Sequence, residues 1–466
     1  MSHPCVSSDA EEYPLGPGST LKGISDEDGR AGEYWHAGLY EMYATKSIRN
    51  ERLALTRRLL REPTYRCDIT RLQEGREFLG RRKRGLTPLT TQELLDKYGG
   101  MKLARYQQAV SELEAYGLHV EDFKISSFVK KERVNDRTTY PRMVHHRDYK
   151  AIFEVLRYVK VFEKKFYQFE HNINGFMTEG RVVAKGLNGN QRHDLIKRKF
   201  DRFSHCQVLS LDCSSFELHV SIEIMEAYFS YVSGFYPSDS YLKWMFSHMI
   251  HHFGRTMMGQ KWSRTDGGLI SGDAITSSLA TYLMVLACVQ YSIETGIEID
   301  FLSDGDDTLM FFEEGSVDFT HLQAFFADIG FLLRLDGVTT VFEEIIFCQH
   351  RFVDGCMIRN PEEIISKALT ICSNSFYDDP EAYISSLGKC LKSVYGVIPE
   401  MVPIFDTLIT VDREIELGDY WLKMPQEKSI AEGAIFDYFE FDLELLQSLA
   451  DQASQFSPSS VSRMGW

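Results

Sequence analysis

The chain has 466 residues, 44% hydrophobic and 25% charged, an ordinary globular composition with room for two or three subdomains. No stretch reaches the roughly 20 apolar residues of a bilayer crossing, the longest being Leu279 to Tyr291, and the polar, acidic start MSHPCVSSDAEE excludes a signal peptide there. The formal charge of −16 opposes nucleic-acid binding only on average: residues 411–450 hold ten acidic against three basic residues, while Arg81-Arg82-Lys83-Arg84 and Lys197-Arg198-Lys199 are purely basic.

Residues 1–32, rich in Ser, Gly, Pro and acid, read as a flexible arm. From Glu33 to Arg61 apolar residues recur at helical spacing among arginines, which predicts an amphipathic helix with one cationic face. Leu89-Thr90-Thr91-Gln92-Glu93 marks a helix start, with Thr for the cap and Glu for the first turn. The next helix is Met101 to Tyr116. Residues 126–150 then interleave Lys130, Lys131, Arg133, Arg137, Arg142, Arg147 and Lys150 with extended residues. A cationic wall of that kind suits a triphosphate, although an exposed basic hairpin carries the same pattern. The nine cysteines stand singly, without C-x-x-C or zinc spacing, which fits reduced thiols.

Residues 151–175 and 191–203 read as helices, the second basic and preceded by the loop Gly186 to Asn190. Gln207 to Leu211 is a short apolar strand that delivers Asp212 to its C-terminal end, where an α/β active site usually lies. Leu218 to Tyr231 reads as helix. Ser263 to Ala287 passes from a glycine loop through Ser271-Gly272-Asp273 into a helix of small residues, which allows either close ligand approach or plain core packing.

Everything before Ile299 leads to the stretch IDFLSDGDDTLMFF, residues 299–312. Two β-rich runs flank Asp304-Gly305, a turn signal, which puts Asp306 and Asp307 at or just past the tip and facing different sides. Asp304, Asp306 and Asp307 repel one another unless a cation lies among them, so a divalent metal is one resolution and a solvated turn the other. Beyond it come a helix, Phe319 to Ile329, stopped by Gly330, a strand, Phe331 to Leu335, and a hairpin, Glu343 to Met357. From Asn360 the spacing is helical, with a loose tail after Phe456.

Taken in this order the stretches resemble the palm of the RNA-dependent RNA polymerases of positive-strand RNA viruses, most closely the tombusvirus-like group. The residues that carry the resemblance are Phe128-Val129-Lys130 with Pro141-Arg142, Asp212 to His219, Ser271-Gly272-Asp273 with Thr276, Gly305-Asp306-Asp307, and Phe342-Glu343-Glu344 with Phe347-Cys348-Gln349. Gly99-Gly100-Met101-Lys102, Lys185-Gly186 and Arg359-Asn360-Pro361 add to it. The resemblance implies an α+β right-hand fold. Fingers and an N-terminal extension would occupy 33–203, a palm 204–355 with part of the fingers inserted around 235–265, and a helical thumb with its tail 356–466. It also implies nucleotidyl transfer with two Mg²⁺ or Mn²⁺ ions held by Asp212 and Asp306, with Asp307 as neighbour or secondary ligand. Lys130, Arg142 and Arg147 would meet the triphosphate, and Glu217, Ser271 and Thr276 the nucleotide. Gly272, Asp273, Cys348 and Gln349 would touch template or nascent strand. The implied partners are RNA, ribonucleoside triphosphates and viral or host replication proteins that bring the chain to membranes in the host cytoplasm.

Four positions depart from the family pattern. Glu217 stands for the usual Asp and Ala280 for the usual Asn, so the longer Glu217 is expected to reach the ribose 2′-hydroxyl itself. Arg334 stands where a Lys proton donor is usual, and with a pKa above about 12 it suits a pyrophosphate clamp better than a general acid. Asp304 replaces Asn and is expected to add negative charge beside the metals. A reverse transcriptase and a catalytically silent RNA-binding scaffold are the competing readings; the intact Asp212, Asp306 and Asp307 argue against the scaffold.

Overall fold

The structure, a computed structural model, describes residues 19–22, 47–81, 85–130, 140–335, 337–369, 378–415 and 428–455. It is a mixed helix and sheet fold built around a central antiparallel sheet in the order Leu333–Arg334, Cys206–Cys213, Asp307–Glu313, Ile299–Asp304, with Val338–Thr339 also pairing to Cys206–Cys213. Alternate side chains of these strands enter different cores. Leu209, Leu211, Phe301, Met310 and Phe312 pack with the helix Thr276–Thr295, whereas Val208, Leu302, Leu309 and Phe311 pack with Leu195 and Ile196 of the helix Gly189–Asp201. Both faces are therefore covered, and each buried Leu or Phe contributes about 1.5–3 kcal/mol.

Thr276–Thr295 meets the length and hydropathy of a membrane crossing, which corrects the expectation that no segment does. It is nonetheless a core helix: 83% of its apolar window is buried inside the protein. Gly296, at φ 69, ends it in the left-handed conformation that favours glycine.

A second sheet runs in the order Ser19–Lys22, Lys261–Arg264, His252–Thr256, Ile125–Val129, Met143–His146. All neighbours are antiparallel except the parallel pair Ile125–Val129 with His252–Thr256. Ser19–Lys22 corrects the arm expectation for four residues, because they form an edge strand in register with Lys261–Arg264. The rest of 1–32 lies outside the described residues, as do 33–46, Arg82 to Arg84 and 131–139. Of the helix expected over Glu33 to Arg61, the described part is Ile48–Ala54 continued by one π turn, Leu55–Leu59.

Other differences are local. The helix expected over Leu218 to Tyr231 is broken: Phe216–His219 is a single turn, and Ser221 then caps Ile222–Ser233 by accepting from Ile224 N–H. The strand expected over Phe331 to Leu335 is confined to Leu333–Arg334. The hairpin expected over Glu343 to Met357 begins later, pairing Arg351–Val353 with Cys356–Ile358. The helix start at Thr90 is a full capping box with Glu93. Toward the C-terminus, Pro361–Ala368, Pro380–Tyr395, Val402–Leu408 and Leu443–Ser454 surround a separate core that includes Leu387, Leu391, Phe405, Leu446 and Leu449.

Candidate active site

The hairpin forms, with its turn one residue later than expected. Asp304 and Asp307 are register partners, so the two turn residues are Gly305 and Asp306. Gly305 has φ 79, a value that suits glycine at the first position of a two-residue hairpin. Its N–H donates to Thr281 Oγ1 at 3.1 Å, which ties the tip to the small-residue helix.

Asp212 approaches from the neighbouring strand. Thr308 is opposite Leu211, so Asp212 lies one step further along, beside Asp307, and on its other side it is opposite Arg334. The Arg334 guanidinium is 3.8 Å from the Asp212 carboxylate, both largely exposed. Carboxylates thus occupy the ends of three adjacent strands.

Asp306 and Asp307 keep solvent-accessible surface, yet their surroundings are crowded. Lost hydration is the largest cause that raises the proton affinity of both, with neighbouring carboxylates adding to it; Asp307 is pushed up to about 6. A group whose folded pKa is raised supports the fold while protonated and loses that support as pH rises through the folded value. Asp307→Asn is therefore expected to raise the melting temperature in EDTA at pH 7 to 8. The gain should vanish below about pH 4, where the unfolded carboxylate is also protonated. Calorimetry across pH checks this, and an unchanged or lowered melting temperature at pH 8 counts against it.

The donor chemistry fits a divalent ion, since hard oxygen ligands and unrelieved negative charge are what Mg²⁺ or Mn²⁺ neutralises. Among the described residues, however, no group of three or more His, Cys, Asp or Glu converges closely enough to hold an ion. Asp212, Asp306 and Asp307 line the strand ends without closing on one point.

Asp304 is a correction. It is not a loose charge beside the other carboxylates: its side chain is 8% exposed and paired with both Lys185 and Arg192. Burial alone would raise its proton affinity, but those two cations outweigh it and hold the carboxyl below the ordinary range. Sequence reasoning noted Lys185 without a role and passed over Arg192. The signal was available, because an added buried carboxylate demands a cation.

A cavity of ≈ 270 Å³ is lined by Arg58, Lys130, Arg142, Glu217, Ser271 and Gly272, among others; Glu217 follows Asp212 by five residues in the chain. Lys130 and Arg142 are exposed, and Lys130 N–H donates to Arg142 O at 2.8 Å across the strand pair. Glu217 is exposed into the same space, whereas Ala280 is a buried residue of the helix Thr276–Thr295.

Arg147 and Asp273 need correcting. The Arg147 side chain is 1% exposed and its Nε donates to Asp273 at 2.7 Å; Asp273 is 2% exposed. The same guanidinium donates to Phe123 O and Met249 O, and to His252 Nδ1 at 3.2 Å. His252 Nε2 in turn donates to Gly268 O at 2.8 Å. Neither side chain faces a triphosphate or a template, because each is consumed in fastening the glycine loop to the sheet. Thr276 also turns inward, its hydroxyl bonding within the loop to Ile270 O. Ser271 Oγ donates to Met143 O at 3.0 Å, and His145 N–H donates to Ser271 O at 2.9 Å, so the loop continues the sheet edge. Gly272, at φ 98, packs so tightly there that a Cβ would sit 2.6 Å from His145 O.

Cys348 and Gln349 form a tight turn at φ 52 and 64, closed by paired backbone bonds between Phe347 and His350. Cys348 lies near the hairpin: burial pushes its thiol pKa up, and Asp304 and Asp307 add to the effect.

The chain belongs to the viral RNA dependent RNA polymerase family, whose sequence profile matches residues 48–431. Among its relatives, it is 27% identical over 340 residues to the RNA-directed RNA polymerase of Tobacco necrosis virus (strain A), covering 70% of this chain and 46% of that one. It is 28% identical over 330 residues to that of Groundnut rosette virus (strain MC1), 67% of this chain and 38% of the other. With the RNA-directed RNA polymerase of Cymbidium ringspot virus it shares 28% over 296 residues, 61% and 36% respectively. The chain thus spans less than half the length of these curated relatives.

Proposed function

We propose that the chain synthesises RNA on an RNA template by nucleotidyl transfer, as the replicating and transcribing polymerase of a tombusvirus-like positive-strand RNA virus. The observation that carries this reading is the set of carboxylates Asp212 and Asp307 at adjacent strand ends, with Asp306 in the hairpin turn. In this reading the central sheet is the palm, the sheet that includes Met143–His146 belongs to the fingers, and the C-terminal helices form the thumb.

Divalent metal ions, Mg²⁺ or Mn²⁺, would be held by Asp212 and Asp306 with Asp307 beside them, and when bound they supply activation of the 3′-hydroxyl and charge neutralisation at the leaving pyrophosphate. Lys130 and Arg142 bind the incoming triphosphate, with guanidinium and ammonium donors matched to its oxygens. Ser271 and Gly272 shape the wall against which the nucleotide sits. Arg334 clamps departing pyrophosphate by charge alone, exchanging its contact with Asp212 for one with phosphate. The turn Cys348-Gln349 bears on the nascent strand.

Glu217 selects the sugar by accepting from the 2′-hydroxyl, and Ala280 leaves it space. Glu217→Ala is therefore expected to lower the preference for ribo- over deoxynucleotides by about tenfold, the value of one charge-assisted hydrogen bond. Single-nucleotide incorporation with both sugars measures it, and an unchanged ratio removes Glu217 from the role. In the cell we place the chain in the host cytoplasm, at membrane-associated replication complexes reached through viral or host replication proteins.

Template-directed incorporation of labelled ribonucleotides with Mg²⁺ or Mn²⁺ tests the whole proposal. Template-dependent RNA product is the expected result. RNA binding without product under either metal would overturn the enzymatic reading.

A further inference from the structure

Arg192 joins the carboxylate hairpin to the Cys348-Gln349 turn. It projects from the helix Gly189–Asp201, is 10% exposed, and pairs with Asp304 at the end of the first hairpin strand. Its Nε donates to Leu187 O at 3.2 Å and its Nη1 to Cys348 Sγ at 3.7 Å, and the guanidinium carbon lies 5.8 Å from the Phe347 ring centroid. Lys185 takes the second oxygen of Asp304. It follows a segment that is itself bonded to the hairpin, Ala184 N–H donating to Ser303 O at 2.9 Å. Phe347 is buried among Ala184, Leu302 and Leu309, so its position is already fixed by packing; the positive φ of Cys348 and Gln349 is strained backbone that persists only where surrounding contacts enforce it.

We propose that Arg192 is a positioning residue that holds the Cys348-Gln349 turn at a set distance from the Asp304–Asp307 hairpin, with Lys185 completing the charge balance at Asp304. The inference rests on the functional reading above, in which the turn bears on the nascent strand and the hairpin carries the reacting carboxylates. One planar guanidinium serves this purpose because its fork of donors can hold a carboxylate, a carbonyl and a sulfur at fixed angles, which a lysine ammonium cannot. It also explains the acid at position 304. An amide there would leave two cations facing each other in a largely buried site without a counter-charge.

The test compares Arg192→Gln and Asp304→Asn, singly and together, in the full chain. Hydrogen exchange followed by mass spectrometry is read on peptides covering 302–308 and 346–351. Each single change is expected to speed exchange in both stretches by about tenfold while the C-terminal helices keep their protection, and the double change should add little to either. In extension of a primed RNA template, kcat per titrated active molecule should fall about tenfold with the ribonucleotide KM within about twofold; counting active molecules by single-turnover burst keeps simple loss of folded protein from mimicking the fall. If Arg192→Gln does not fold, Arg192→Lys takes its place in the same comparison. Additive effects, or exchange that rises at the turn while the hairpin is unmoved, overturn the proposal. Coupled exchange without RNA synthesis by any form would instead overturn the functional reading and leave the coupling standing. Equal extension by wild type and variants would leave the function standing and remove Arg192 from it.

Discussion

Asp306→Asn is expected to abolish template-directed RNA synthesis, by at least about a thousandfold, equivalent to roughly 4 kcal/mol of lost transition-state stabilisation. The substitution keeps the size and shape of the side chain at the hairpin tip, so the turn through Gly305 and its bond to Thr281 should persist. Crowding raises the proton affinity of Asp306, which means that its ionised form is a burden on the metal-free fold. The variant should therefore melt no lower than wild type, and it should bind primed RNA as well. Incorporation assays, melting curves and RNA anisotropy on one preparation separate these effects. Activity retained within about tenfold would show that this carboxylate takes no part in the reaction.

Arg147→Met should act in the opposite way, on the fold and not on nucleotide binding. It leaves the buried Asp273 carboxylate with the Ala274 N–H but without its counter-ion, and breaking a buried pair by removing one member costs about 3–5 kcal/mol. Urea denaturation should show that loss. Asp273→Asn in the Arg147→Met background should recover part of it, because the stranded charge is then gone. The ribonucleotide KM of the remaining folded protein should match wild type. A KM raised tenfold with undiminished stability would return Arg147 to the triphosphate.

The fate of Arg147 shows where sequence reasoning stops. Arg142 and Arg147 flank the strand Met143–His146 and are five residues apart, an odd spacing that sends their side chains to opposite faces. Only one could share the outer face, and the burial of Met143, His145 and Arg147 against the exposure of Arg142 follows that alternation. The period was legible; which face was inward was not, because Asp273 is 126 residues away. The hairpin and Asp212 were legible for the contrary reason. Apolar strand, turn and carboxylates lie within a few residues of one another, so local chemistry decides them. Thr276–Thr295 was legible as a helix, but only tertiary packing shows that it lies within the core. Ser19–Lys22 offered no apolar alternation and pairs with a strand some 240 residues on, so nothing local announced it.

That short edge strand also fixes the geography of whatever is joined ahead of it. Residues 1–18, even fully extended, span no more than about 60 Å. A fluorescent label or an upstream folded unit attached before Met1 is therefore leashed within that radius of Lys261–Arg264, on the flank of the sheet opposite Met143–His146 and the cavity it lines. Cutting the chain at residue 23 would release the leash. It would also bare the backbone donors and acceptors of Lys261–Arg264, an unpaired edge on which another chain could add.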